Sequence, residues 1–309
     1  MGKQVADNRA YFARKVEMLR GINIYGNTFQ GGKSQHILFK CMLDALELEY
    51  EENYELADTV YDFFVDSTLV YISPTLSCSG LVYGTDIKRS YRRYLNAINN
   101  GYHYIQIFDW DNIFNCSLAL QPRQTISADD CVVSKLGSIE AHAFLRMNSI
   151  ELQKGRHFCA NPIGLYYGDE LVQVFTYLNS NWSSIKPENR PDWTISRICT
   201  SHGLIVEGGS KKLFNYFIEN ECPEHVVGYF NCSKAIINEY ASTGMKHVCT
   251  LNPTQTWSRF DEAVQEPFYK STGDYTKPQL MVLNGWLPIH DCGKEKYEWR
   301  RGESTNGQH

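Results

Sequence analysis

The sequence predicts an α/β (α+β) protein built as two lobes. Segments rich in β-branched and aromatic residues alternate with segments whose apolar residues recur at helical spacing. That alternation runs through residue 115, gives way to a polar stretch at 116–130 and restarts at Cys131. With 309 residues and 43% hydrophobic content, the chain suits two cores, at about 100–200 residues per domain. The predicted division is a first lobe over 1–115, a linker over 116–130, a second lobe over 131–300 and a flexible tail over 301–309.

In the first lobe, GNTFQGGKSQ reads as a loop in which Ser34 caps a following helix, HILFKCMLDALEL. Ile37, Leu38, Cys41, Met42, Ala45 and Leu46 give that helix one apolar face. TVYDFFVD and STLVYISP read as strands turning at Asp66-Ser67. DIKRSYRRYLNAINN reads as a helix ended by Gly101, and YHYIQIFDWD as a strand. In the second lobe, CVVSKL is a strand and SIEAHAFLRMNSI a helix. ANPIGLYYGDELVQVFTYL is a hairpin about Gly168-Asp169. WTISRICT (strand), GGSKKLFNYFIEN (helix), HVVGYFNC (strand), SKAIINEYASTG (helix) and MKHVCT (strand) follow. Thr256–Glu266 reads as a short helix or loop and YKSTGDYTKPQL as a loop. A strand, a turn at Gly293 and a closing strand end the lobe.

Thirty Lys+Arg against 35 Asp+Glu give a net charge of −5. This excludes a uniformly basic nucleic-acid coat but leaves room for a local basic cleft. Ten cysteines at irregular spacing, with no CxxC pair, point to reduced thiols. The polar start MGKQVADNRAYFARK has no signal-peptide core, and no apolar run is long enough for a membrane span. The expected location is the cytoplasm.

The series GLYYGDELVQVFTY, a strand carrying Arg197, VEGGSKKLFNYFIE and HVVGYFNCSK, closed by NGWLPIHDCGKEKYEW, resembles the C-terminal region of phage-type homing endonucleases of the Vsr-like (EDxHD) group. That region is itself similar to the acyltransferase (GNAT) fold and to the phage Mom DNA-modification proteins. The first lobe is similar to the nuclease lobe of the same group, a PD-(D/E)xK-like sheet. Asp62 matches its strand Asp, and Phe108-Asp109 with Asp111 match its later acidic pair. Ser73 stands at the Glu position, Gln35 or His36 near the helix Glu, Arg92 near the His and Leu95 near the Lys. The resemblance implies a hydrolase acting on double-stranded DNA with Mg²⁺, in a phage-infected bacterial cell, with the nuclease motif partly replaced.

Metal-dependent cleavage needs oxygen ligands converging on the cation and a group to activate water. Asp62 and Asp109 follow apolar strand residues and are the candidate metal ligands. Asp111 and His103 share the alternation of Asp109 and complete the candidate catalytic set. Polar edge residues of a half-buried sheet are the alternative reading. Lys88, Arg89, Arg92 and Arg93 form a basic cluster for phosphate contact, or a solvated helix face. In the second lobe Gly208, Gly209, Ser210 and Lys211, with Lys212 and Arg197, suit an anion at a helix start. Under the acyltransferase resemblance that anion is the pyrophosphate of an acyl-CoA-like donor; in a DNA-binding relative it is a backbone phosphate. Three functions therefore stand open: a homing-endonuclease-like DNA cleaver, active or weakened; a GNAT/Mom-like group transferase; and a non-catalytic DNA-binding protein.

Overall fold

Period-two burial and helical apolar spacing build the first sheet. The structure, a computed structural model, describes residues 33–73, 88–151, 159–180, 190–259, 262–264, 268–271 and 275–303. Helix α1 (Lys33–Ala45) buries Phe39, Met42 and Leu43; it begins before Ser34 rather than being capped by it. Strands β1 (Tyr50–Leu56), β2 (Thr59–Val65) and β3 (Thr68–Ser73) form an antiparallel meander. Its first turn holds Ala57 and Asp58 at positive φ, the geometry a two-residue hairpin loop requires. Helix α2 (Arg89–Asn99) then crosses to β4 (His103–Phe108), which pairs parallel to β3. Alternation along β4 sends Ile105 and Ile107 to one face, against α1 and helix α3 (Ile113–Leu118), and Tyr104 to the other, against Tyr94 and Ala97 of α2.

Strand β2 breaks that alternation at Asp62. Tyr61 packs with Tyr94 and Tyr104, whereas Phe63 and Val65 lie on the opposite face with Phe39 and Leu43. Unbroken period two would put all three on one side. Asn53, across from Asp62 on β1, takes φ 56°, and the ladder skips this pair.

The chain continues through β5 (Gln124–Ser127), β6 (Cys131–Lys135), α4 (Ser138–Asn148), β7 (Ile163–Tyr167), β8 (Glu170–Asn179), β9 (Trp193–Thr200), β10 (Leu204–Glu207), α5 (Gly209–Glu221) and β11 (His225–Asn231). It ends in β12 (Lys234–Ala235), α6 (Glu239–Ser242), β13 (Lys246–Leu251), β14 (Gln255–Arg259), β15 (Glu262–Val264), α7 (Lys277–Leu283), β16 (Leu287–His290) and β17 (Lys294–Arg300). Seven strands make one sheet in the order β13-β17-β11-β9-β8-β7-β6. Every neighbouring pair is antiparallel except β9 with β11. Those two pair only over Trp193–Ile195 and Val226–Gly228 and part beyond that point. Helix α5 buries Leu213, Phe214 and Phe217 with Phe175 on one face; α4 buries Ala141 and Leu145 with Val174 and Cys199 on the other.

The two halves are interleaved. Strand β12 comes from the second half of the chain and pairs with β4 of the first sheet, Lys234 opposite Ile105 and Ala235 opposite Tyr104. Within the expected linker, β5 pairs parallel with β10, and Ile126 is buried in the shared core. The single helix expected over SKAIINEYASTG is β12 followed by the short α6. The expected helix or loop at Thr256–Glu266 includes the hairpin β14–β15, and part of the expected loop YKSTGDYTKPQL forms α7. The Thr276–Gln279 capping box starts α7. Among the described residues, no helix is long and apolar enough to cross a membrane. Most of the expected loop at Gly26–Gln35 and of the expected tail lies outside the described residues.

Candidate functional site

The kink in β2 gives Asp62 its place. Its Oδ2 accepts the Ile72 N–H at 2.7 Å, substituting for a ladder bond where β2 and β3 stop pairing. The start of α1 approaches the same rim, with Gln35 Nε2 donating to the Phe108 carbonyl at 3.5 Å. The start of α2 approaches from the other face. Arg93 lays its guanidinium 4.0 Å from the Tyr71 ring centre, and its carbonyl accepts the Tyr61 hydroxyl at 2.9 Å. Burial pushes the Asp62 carboxyl above its ordinary pKa; the Ile72 N–H, His36 and Arg93 partly offset this. Asp109 sits just past the end of β4, half-buried.

The other expected members do not join this rim. His103 is the first residue of β4; it stands six positions before Asp109, about 20 Å along a strand, so shared alternation puts it on the same face at the wrong end. Asp111 turns inward, ion-paired with Lys234 and accepting the Phe108 N–H at 2.9 Å. Ser73 is fully buried and accepts from Gln106 Nε2 at 2.6 Å. Among the described residues no three His, Cys, Asp or Glu side chains gather as metal ligands. Mg²⁺ needs several converging oxygens; with one oxygen of Asp62 committed to the backbone and Ser73 committed to Gln106, these residues do not fit it. The basic cluster divides as well. Lys88 and Arg92 are exposed, Arg89 is half-buried, and Arg93 is turned onto Tyr71.

The glycine-rich helix start in the second half is not an open anion cradle. A Cβ on Gly209 would run into Gln173 and Val206, so this glycine permits close packing. Ser210 is buried, bonded to the Glu239 carboxylate and to Gln173 Nε2. Glu239 also accepts from Thr200 at 2.6 Å, so a carboxylate already supplies negative charge at the helix start. Lys212 donates to the Ala128 and Cys131 carbonyls, 2.8 Å each, and Arg197 is ion-paired with Glu151 at 3.2 Å. Of the expected set, Gly208 and Lys211 face solvent. These residues do not fit the pyrophosphate of an acyl-CoA-like donor.

Sequence reasoning missed a cavity of about 130 Å³ where β9 and β11 part. Arg123, His202, Arg197, Lys234, Glu239 and Tyr240 contribute to its walls. These residues come from the expected linker, the end of β9 and the β12–α6 segment, and only the folded topology unites them. Burial, with the Arg123 charge second, pushes the His202 imidazole down to about 4. Between that value and the ordinary 6.5, the unfolded chain binds more protons than the folded one. Stability is therefore expected to fall as pH drops from 6.5 towards 4. The His202→Gln variant should show a flatter dependence, measured as melting temperature against pH; equal slopes would refute the assignment. No family model matches the chain, and no curated protein is significantly similar to it.

Proposed function

We propose that this protein binds double-stranded DNA with the rim of its first sheet and does not cut it. The order helix, three-strand meander, helix, parallel strand supports the reading, with Asp62 within β2, Asp109 just past the end of β4, and Lys88, Arg89 and Arg92 at the start of α2. The observation that carries the reading is how the rest of the cleavage set is used. Ser73 and Asp111 are absorbed into internal bonds, while Lys88 and Arg92 remain exposed beside the rim. Lysines and arginines supply phosphate contacts that fix position without reading sequence. The parting of β9 from β11 is the feature that favours the group-transfer alternative, but the helix start that would hold a donor is taken by Glu239.

Gel-shift titration of a duplex at several salt concentrations tests the binding. The double variant Lys88→Gln/Arg92→Gln should bind about tenfold more weakly, with the salt slope reduced by about two. Unchanged affinity and slope would remove the rim from consideration. Supercoiled plasmid incubated with Mg²⁺ or Mn²⁺ should stay intact. Nicking by the wild type that disappears in Asp62→Asn would show that the cleavage site works after all.

A further inference from the structure

The cavity between the parted strands has a chemistry that the DNA-binding rim does not use. Arg123 is half-buried in its wall, and among the described residues its side chain donates to the Ala119 carbonyl at 2.7 Å. The neighbouring cations are matched, Arg197 by Glu151 and Lys234 by Asp111. The nearby Glu239 carboxylate is bonded to Thr200 and Ser210. Among the described residues Arg123 forms no ion pair; burial lowers its pKa, and the charges of Asp66 and Glu239 partly offset this. Beside it, the buried Nε2 of His202 has no hydrogen-bond partner among the described residues. The Met147 carbonyl acts on the ring; with Nδ1 carrying the proton toward it, the neutral imidazole presents Nε2 as an acceptor. A buried polar atom of this kind calls for a partner.

We infer that this cavity binds a small hydroxycarboxylate, its carboxylate on the Arg123 guanidinium and its hydroxyl donating to His202 Nε2. The Arg123 guanidinium makes no ion pair among the described residues, and its planar fork matches a carboxylate. Ile198, Phe230 and Ile236 line the cavity and give a short hydrocarbon body an apolar wall. The volume of about 130 Å³ is close to that of a cavity that admits benzene, about 150 Å³, which limits the ligand to a few carbons. The site lies where the two sheets meet, because β9 supplies one wall and the β12 segment another.

Calorimetric titration of the full chain with 2-hydroxybutyrate tests this. Saturable one-to-one binding is expected, weakened about tenfold or more in Arg123→Gln, consistent with losing a charged hydrogen bond. Because Arg123→Gln removes a half-buried side chain that bonds the Ala119 carbonyl, its unliganded melting curve is recorded in parallel. The wild type is also titrated with 2-hydroxybutyramide, which keeps shape and hydroxyl but lacks the charge. The amide should bind at least about tenfold more weakly by the same reasoning. Butyrate, lacking the hydroxyl, should bind more weakly than 2-hydroxybutyrate in the wild type and equally well in His202→Leu. Absence of saturable binding by the wild type, or equal binding of the amide and the acid, overturns the proposal. The rim variant Lys88→Gln/Arg92→Gln should bind 2-hydroxybutyrate as the wild type does, which keeps this result separate from the DNA-binding one.

Discussion

Replacing Lys234 with methionine is expected to lower the unfolding free energy by roughly 3–5 kcal/mol. The Lys234 side chain is 4% exposed and that of Asp111 2%, so neither charge is relieved by water. In the folded protein Asp111 holds the ammonium protonated against the cost of burial; that attraction raises the Lys234 pKa above its ordinary value. The same ammonium donates to the Gln106 carbonyl at 2.6 Å and lies 5.6 Å from the Phe108 ring centre. Methionine fills similar space but leaves the Asp111 carboxylate buried with, among the described residues, only the Phe108 N–H as a partner. That carboxyl should then hold its proton to higher pH than it does unfolded. Between the two values the folded variant binds more protons, so its stability falls as pH rises through that window. The double variant Asp111→Leu/Lys234→Met removes both charges and should recover most of the loss. Urea unfolding of the wild type and both variants between acid and neutral pH checks all of this. A single variant within about 1 kcal/mol of wild type would show that the pair is not an uncompensated burial when broken.

This ion pair marks the limit of what could be read in the sequence. Strands with strong local signals were legible: WTISRICT has the observed bounds of β9, and the Gly168-Asp169 turn joins β7 to β8. Strand β1 was missed because YEENYEL places glutamates on a half-exposed edge strand, where the low β-propensity of Glu masks the alternation. Strand β12 has two residues, too few for any periodicity, and its pairing with β4 is fixed by contacts 128 or more positions away. Helix α7 did carry a local signal, Thr276 followed three positions later by Gln279 with Pro278 near the helix start, and could have been found from it.

The candidate site divides on the same line. Asp62 was legible because a carboxylate within an apolar strand is a local anomaly, and the structure assigns it a backbone bond at a kink. The anion cradle at Gly208–Lys211 was an equally local inference, and it was undone by Glu239, which lies 29 positions from Ser210. A glycine pair before a helix is compatible with a ligand approaching from outside or a side chain approaching from within. Only the fold decides between them. The buried joint formed by Gln106, Ser73, Ser90, Ser233 and Cys292 is of the same kind. None of these residues is unusual in sequence, yet together they tie β3, β4 and α2 to the segments before β12 and β17.

Gly293, at the turn into β17, is where a single methyl group should do the most damage to that joint. Its φ of 83° lies in the left-handed region, and an added Cβ would overlap the Leu251 carbonyl and crowd Asn252 and Pro253, all of them backbone. The turn is held by the Asp291 carboxylate, whose Oδ1 accepts the Gly293 N–H at 2.8 Å and the Thr254 N–H at 2.7 Å. The Gly293 carbonyl in turn accepts the Cys232 N–H at 3.2 Å, and the adjacent Cys292 N–H donates to Ser233 at 3.1 Å. A rotamer change cannot relieve a clash with backbone, so either the end of β13 or the turn itself must move, and the turn carries the bonds to Cys232 and Ser233. Gly293→Ala should therefore cost roughly 3–5 kcal/mol, about 1–2 from the positive φ and the rest from displaced backbone. Gly302→Ala separates the two contributions, because Gly302 has a φ of 79° with nothing within 4 Å of its added Cβ. That variant should lose only about 1–2 kcal/mol. Urea unfolding of both variants decides the matter. Equal losses would mean that Leu251 yields freely and that the packing around this turn, rather than being rigid, accommodates a side chain at little cost.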